Sequence, residues 1–195
     1  MSLSELLRRI VAILDAERIP YMLTGSLASA YYATPRATRD IDIVLDTDRG
    51  GLDRLLGRLE EAGLYVDRGA AREALNTRSQ FNAIAPTTGW KIDFIVRRER
   101  SFSRAEFGRR ETASILGIEA SLASLEDVLI AKLEWSALGD SELQRRDVQE
   151  LLERAGPRID RAYVERWVRE LGLEAEWSTL RNRAEPGPVD DSGKA

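Results

Sequence analysis

The segment DIDIVLD, residues 40–46, constrains the fold more than any other part of the chain. A short run that alternates acidic and apolar residues predicts a half-buried β-strand. Side chains on a strand alternate between its two faces, so Asp40 and Asp42 point to one face and Ile41 and Ile43 to the other. Two carboxylates side by side on a sheet repel each other unless positive charge lies between them.

A divalent cation is the usual source of that positive charge. Hard cations such as Mg²⁺ take oxygen ligands, often one or two carboxylates together with substrate phosphates. The alternative interpretation is an edge strand whose polar face meets water. The two carboxylates alone favour neither interpretation.

The residues before this strand predict an anion-binding site. Tyr21, Met22 and Leu23 form a short apolar run after Pro20, which predicts a second strand. Gly25 permits a tight turn, and Ser26 is typical of the residue that caps the next helix. A helix N-terminus that directly follows a strand presents free N–H groups and a positive dipole end to a phosphate.

A third carboxylate lies on a predicted hairpin. The apolar runs 81–85 and 90–96 are joined by Pro-Thr-Thr-Gly, which predicts two antiparallel strands. In the second strand, Lys91, Asp93 and Ile95 share the face opposite Ile92 and Phe94. A lone acidic residue on a strand is more often a solvated edge residue than a catalyst, but here a strand with two other carboxylates is expected beside it.

Composition excludes several classes of active site. The chain has no His and no Cys, so a His-based triad, a His general base, a thiol zinc site and disulfides are excluded. The net charge of −4 provides no overall basic field for nucleic acid. No apolar run approaches the ~20 residues of a membrane helix, and we expect a cytoplasmic protein without membrane contact.

Two domains and a tail are predicted. Residues 1–122 mix helices and strands, and 123–184 read as four helices (about 124–138, 141–154, 160–171 and 173–183). Residues 185–195 have too little apolar surface to order themselves. Segment 67–77 is either a short helix or a mobile loop. The basic segment 97–110, with Phe102 and Phe107, is either a contact for single-stranded nucleic acid or triphosphate, or a solvated loop with two core phenylalanines.

The Gly-Ser turn, the DxD strand and the spacing between them resemble the signature of the nucleotidyltransferase superfamily. The pattern is G-S-x13-D-x-D, with Arg36 and Arg39 leading into the aspartates. Lys91 and Asp93 form a K-x-D that resembles the second motif of the toxin-type and abortive-infection enzymes of that superfamily. In the helical part, the pattern of Lys132, Arg146 and Asp147 resembles the same group; a solvated helix pair with salt bridges is the alternative.

The resemblance implies an α+β fold, with a polymerase-beta-like palm of mixed sheet and flanking helices followed by a helical bundle. It implies Asp40, Asp42 and Asp93 as catalytic residues and Mg²⁺ ligands. The nucleotide-binding residues that it implies are Gly25, Ser26, Arg36, Lys91, Lys132 and Asp147.

The resemblance also implies the reaction, which is transfer of a nucleotidyl group from a nucleoside triphosphate such as ATP. The acceptor that we expect is an RNA end, such as the 3′ end of a tRNA, or a protein hydroxyl, ahead of an antibiotic hydroxyl. A cognate toxin or antitoxin partner is implied as well. The alternative is a catalytically silent module that binds nucleotide or a partner protein.

Overall fold

The computed structural model describes residues 1–34, 38, 40–139 and 141–184. The predicted residues Arg36 and Arg39, and the tail 185–195, lie outside this part. The described residues divide into two compact units. The first contains 1–31 and the described residues of 36–124, and the second contains 125–184 with residues 32–34. The predicted domain boundary at 122/123 is two residues away from the division at 124/125.

The first unit is built on one mixed sheet of seven described strands in the order β3-β4-β5-β2-β1-β7-β6. The pairs β2–β5 and β1–β7 are parallel, and the other neighbours are antiparallel. The strands are β1 Tyr21–Thr24, β2 Asp40–Leu45, β3 Tyr65–Val66, β4 Gln80–Ile84, β5 Lys91–Val96, β6 Glu111–Ile115 and β7 Ile118–Leu122.

Helix α3 contacts both α1 and α4, and all three helices contact the sheet. The helices of this part of the chain are α1 Leu3–Ala16, α2 Gly25–Tyr32, α3 Arg49–Glu61, α4 Arg68–Thr77 and α5 Ser101–Gly108. Ser2 and Glu5 form a capping box at the start of α1. On the strands, Ile41, Ile43, Ile92 and Phe94 are fully buried, so this apolar face is the one that the helices cover.

Two ambiguous segments of the sequence are helical. Segment 67–77 is α4, whose N-cap Asp67 accepts a hydrogen bond from the Ala70 amide at 3.0 Å. The basic segment contains α5, in which Phe102 and Phe107 are buried. The guanidinium of Arg110 lies 4.3 Å from the centre of the Phe107 ring, which supports the interpretation with two core phenylalanines.

The second unit is helical, as predicted. Its helices are α6 Leu125–Gly139, α7 Glu142–Ala155, α8 Arg161–Leu171 and α9 Glu174–Ala184, with a short 3₁₀ turn at Gly156–Arg158. Ser141 and Asp160 cap α7 and α8 through their side-chain oxygens. Val164, Trp167, Trp177 and Leu180 are buried in this unit. The predicted α+β architecture with a C-terminal helical bundle is thereby confirmed.

Candidate active site

Strand β2 presents Asp40 and Asp42 on one face of the sheet. Both are partly exposed, whereas Ile41 and Ile43 on the opposite face are fully buried. The burial of the isoleucines against the helices fixes the direction of the aspartates, because a one-residue slip would exchange the two faces.

The register of the sheet brings the third carboxylate to the same face. In the parallel pair β2–β5, Asp42 is the partner of Asp93 and Asp40 is the partner of Lys91. Neighbouring strands lie about 4.8 Å apart, so the two aspartates are next to each other across one strand gap. Asp93 therefore lies on the same face of the sheet as Asp40 and Asp42.

Lys91 contributes positive charge to this face. Its Nζ lies 2.9 Å from Oδ2 of Asp93, and its side chain is about two-fifths exposed. The hydrogen bond to Asp93 is the main cause that raises the pKa of Lys91, and attraction by Asp93, Asp40 and Asp42 adds to it against the cost of desolvation. All three carboxylates therefore act on one ammonium group.

Gly25 brings the start of α2 against Asp42. The helix begins at Gly25 directly after β1, so Ser26, the predicted N-cap residue, lies inside the first turn. Gly25 has a φ of +62°, which turns the chain from strand to helix in one residue. A Cβ at this position would lie 2.0 Å from Oδ2 of Asp42. The carboxylate thus occupies the space that any other residue type would fill.

The donor set of this face fits Mg²⁺, which takes carboxylate oxygens and completes its shell with phosphate and water. Among the described residues, no three acidic side chains are gathered closely enough to hold a metal by themselves. Asp93 instead accepts a hydrogen bond from Lys91. This arrangement suits a metal that binds one or two carboxylates together with a substrate phosphate. The assignment of Asp40, Asp42 and Asp93 as metal ligands stays a prediction.

Lys132 and Asp147 meet in the helical unit. The Lys132 Nζ lies 2.5 Å from Oδ2 of Asp147 and 3.1 Å from Oε1 of Gln144. Both charged side chains are about 95% buried, while Arg146 on the same helix is exposed. The two residues form a buried ion pair, and their predicted contact with nucleotide stays a prediction.

Sequence reasoning missed three residues that share the carboxylate face. Thr24 is the partner of Asp42, and Asn82 is the partner of Asp93. Tyr65 is the partner of Ile84, which is itself the partner of Lys91. The alternation over 80–84 could have revealed Asn82, but a two-residue strand leaves no pattern that predicts Tyr65.

No protein-family model matches the chain, and no curated protein matches it. Solved structures do. The antibiotic-resistance factor ANT(2'')-Ia matches with a TM-score of 0.58 at 15% identity, over 95% of this chain and 96% of the other. The lincosamide antibiotic adenylyltransferase LnuA matches with a TM-score of 0.53 at 16% identity, over 77% and 96%.

An antigenic nucleotidyltransferase-like protein from Paracoccidioides brasiliensis matches with a TM-score of 0.51 at 20% identity, over 78% of this chain and 77% of the other. Identities of 15–20% carry information on fold, and all three structures agree on it. The chain has the nucleotidyltransferase fold.

Proposed function

We propose that the protein is a Mg²⁺-dependent nucleotidyltransferase. The observation that carries this proposal is the register of β2 and β5, which aligns Asp40 and Asp42 with Lys91 and Asp93 on one open face. Gly25, at the start of α2, lies against the carboxylate of Asp42. Paired acids, a cation and a helix N-terminus are the groups that bind and activate a nucleoside triphosphate.

Asp40 and Asp42 are the residues that would hold Mg²⁺, with Asp93 as a further ligand. The ion would neutralise phosphate charge and polarise the phosphoryl group. The N-terminus of α2, with Gly25 and Ser26, would bind the triphosphate. Lys91 would counter the negative charge that builds on pyrophosphate as it leaves.

The reaction exchanges one phosphorus–oxygen bond for another. The oxygen of the acceptor hydroxyl forms a bond to the α-phosphorus, and the bond from that phosphorus to pyrophosphate breaks. The hydroxyl proton passes to Asp93, which the register places beside Asp42. The products are a nucleotidylated acceptor and pyrophosphate.

Arg36, Lys132 and Asp147 complete the proposed nucleotide-binding set. The support for all three is the sequence motif, and Lys132 and Asp147 also form a close pair within the helical unit. A cytoplasmic location is part of this proposal, because the cytoplasm supplies the substrate ATP. Among the described helices, none combines the length and the apolar character of a membrane span.

The acceptor in this proposal is an RNA end or a protein hydroxyl, within a toxin–antitoxin or abortive-infection pair that includes a cognate partner. The sequence motifs around Lys91 and Asp93 support it. A second candidate acceptor is an antibiotic hydroxyl. It is favoured by the likeness to ANT(2'')-Ia, whose structure in complex with adenylyl-2''-tobramycin matches over 92% of this chain.

A single labelling experiment separates these alternatives. The purified protein is incubated with Mg²⁺ and each α-³²P-labelled nucleoside triphosphate, and with total RNA, lysate protein, tobramycin or lincomycin. We expect label on one acceptor class with the wild type and none with Asp42→Asn. Binding of nucleotide without transfer to any acceptor would favour the catalytically silent module instead.

A further inference from the structure

A polar row crosses the sheet beyond the carboxylates. Asn82 on β4 is the direct partner of Asp93, which pairs with Asp42, which pairs with Thr24. Direct partners on neighbouring strands point to the same face. Asn82 is exposed, whereas its neighbours Phe81 and Ala83 are buried on the other face. Its amide therefore projects from the open face about 5 Å from the Asp93 strand position.

A second row runs parallel to the first and ends in an aromatic ring. Tyr65 on β3 is the partner of Ile84, which pairs with Lys91, which pairs with Asp40. Tyr65 is 62% exposed, although Val66 beside it is buried. The ring stands on the carboxylate face about two strand spacings, roughly 10 Å, from Lys91.

The part of this face on β3 and β4 carries no charged side chain. It consists of Tyr65, Gln80, Asn82 and Ile84, and both strands are described in full. We call these four residues the acceptor face. The acceptor face has no acidic group of its own to bind a polycation, and the carboxylate beside it, Asp93, is paired with Lys91. A flat ring and an exposed amide instead suit a ligand with an aromatic ring and neutral hydrogen-bonding groups.

We propose that the acceptor face binds a terminal ribonucleoside, with its base stacked on Tyr65 and its 2′-hydroxyl hydrogen-bonded to the Asn82 amide. This assignment rests on the proposed nucleotidyl transfer. With the 2′-hydroxyl held at Asn82, the adjacent 3′-hydroxyl lies at Asp93, one strand away. The 3′ oxygen then forms a bond to the α-phosphorus, and the bond between that phosphorus and pyrophosphate breaks. The proton of the 3′-hydroxyl passes to Asp93.

The chemistry of the two side chains sets the expected specificity. Stacking of a base on an aromatic residue is tolerant of base identity, because each base has a π-face. The 2′-hydroxyl is the group by which proteins distinguish RNA from DNA. The acceptor face should therefore prefer a ribose end over a deoxyribose end and show little preference for the terminal base.

The test measures acceptor binding and transfer separately. A fluorescent oligoribonucleotide with a free 3′-hydroxyl is titrated onto the protein by anisotropy, with Mg²⁺ and a non-reactive triphosphate analogue present. Tyr65→Ala should weaken binding about 5- to 150-fold, and Tyr65→Phe should retain it. Asn82→Ala should weaken binding about 2- to 10-fold. Asn76→Ala, at an exposed position of α4, is the matched control and should bind like the wild type.

The same oligonucleotide ending in a 2′-deoxyribonucleoside distinguishes the role of Asn82. The wild type should bind it more weakly than the ribose form, and Asn82→Ala should bind both equally. In transfer assays, both alanine variants should raise the KM for the oligonucleotide and leave the KM for the triphosphate unchanged. A parallel titration with a free nucleoside shows whether the chain end or the nucleoside itself is recognised.

Two outcomes would overturn the assignment and leave nucleotidyl transfer intact. One is a wild type that transfers label to tobramycin but does not bind the oligonucleotide. The other is oligonucleotide affinity that Tyr65→Ala and Asn82→Ala do not change. The proposed function itself is tested by thermal unfolding of the wild type with and without Mg²⁺ and triphosphate. If the two ligands do not raise the melting temperature and no acceptor is labelled, the proposed function fails as well.

Discussion

Gly25 combines two requirements that only glycine meets. Its φ of +62° lies in the left-handed region, and the space at its Cβ is occupied by the carboxylate of Asp42. We predict that Gly25→Ala lowers the free energy of unfolding by at least about 1–2 kcal/mol from the backbone alone. Transfer activity should be lost because the added methyl group displaces Asp42.

Thermal unfolding and kcat measure the two effects of Gly25→Ala. Gly57→Ala is the matched control, because Gly57 lies inside α3 and a Cβ there would meet nothing within 4 Å. That variant should be more stable than the wild type by up to about 1 kcal/mol, with unchanged activity. Full activity in Gly25→Ala would contradict the assignment of Asp42 to the active site.

The ion pair of Lys91 with Asp93 leads to predictions about transfer activity and about the pH dependence of stability. Asp93→Asn should reduce transfer by about 10²-fold or more, since it removes the proton acceptor. Its cost in stability should stay below about 1 kcal/mol, because Lys91 is partly exposed and the solvent screens the pair.

The sign of the pH effect follows from the raised pKa of Lys91. Its ordinary value is 10.5. The pair therefore makes its full contribution to the free energy of unfolding below that pH. This contribution is lost as the pH rises past the raised pKa of the folded state. Asp93→Asn removes the main cause, so an NMR titration of the Lys91 side chain should give a lower pKa. An unchanged pKa would contradict this account.

At the scale of elements, the sequence predicted the direction of side chains on each strand better than it predicted which strands pair. Alternation over 40–45 and 91–96 identified the face of each aspartate, because burial of one face imposes a period of two. Nothing in the chain predicted that Asp42 would pair with Asp93 rather than a residue two positions away. Pairing between strands 45 residues or more apart depends on the packing of the helices between them.

Helix α5 was missed for a different physical reason. Its Phe102 and Phe107 are five residues apart, which does not match the three- and four-residue spacing of an apolar helix face. Its N-cap Arg100 also makes no side-chain capping bond. By contrast, α4 has a capping aspartate, and the sequence left it open between helix and loop because its apolar face is limited to small residues such as Ala71 and Ala74.

The N-cap of α3 offers a prediction about an element that supports the site without touching substrate. Asp48 accepts a hydrogen bond from the Gly51 amide at 2.8 Å. Asp48→Ala should cost about 1 kcal/mol of stability, because a helix N–H loses its partner. Transfer kinetics should not change, since the residue lies at the opposite end of β2 from Asp40.

Chemical denaturation with Asp53→Ala as control measures the effect of Asp48→Ala. Asp53 belongs to the same helix and pairs with Arg72 at 2.9 Å, but both side chains are more than a third exposed. Its loss should cost less than that of the cap. Equal costs for the two variants would mean that Asp48 stabilises α3 only through surface charge.

At the scale of the whole molecule, the change from a mixed sheet to helices near residue 124 was visible in the sequence. Apolar residues at helical spacing and capping residues such as Ser141 and Asp160 gave the helices to within one or two residues. The burial of Lys132 and Asp147 was not predictable, because charged residues are almost never buried unless they are paired. Their pairing requires knowledge of how α6 contacts α7.

That buried pair predicts a large effect of single substitutions. Lys132→Met should lower the free energy of unfolding by about 3–5 kcal/mol, because Asp147 is left as a buried carboxylate without its cation. The double variant Lys132→Met/Asp147→Leu removes both charges and should recover most of that stability. Urea unfolding of the single and double variants tests this expectation, and equal losses in both would contradict it.

Because the double variant is expected to fold, its affinity for Mg²⁺–triphosphate tests the proposed nucleotide role separately, and we expect that affinity to fall.

Mg²⁺ and the nucleoside triphosphate should bind this face cooperatively. Three carboxylates on one face repel a triphosphate until a cation screens them, and Lys91 offsets only part of their charge. Mg²⁺ and nucleoside triphosphate should therefore each bind weakly alone and tightly together, a positive coupling that is reciprocal. A ligand at 100 times its Kd stabilises the folded state by about 2.7 kcal/mol. Because each ligand lowers the Kd of the other, the melting temperature should rise with both ligands by much more than the sum of the separate shifts.

Calorimetric titration of the triphosphate with and without Mg²⁺ measures the coupling directly. Asp40→Asn should abolish it, because it removes a proposed ligand of the metal. Arg104→Ala should preserve it, because Arg104 pairs with Glu99 on the exposed surface of the basic segment. Equal triphosphate affinity in the two conditions would mean that Asp40 and Asp42 hold no metal with the nucleotide. The repulsion among the carboxylates of this face would then require a different ligand, and the silent binding module would become the better interpretation.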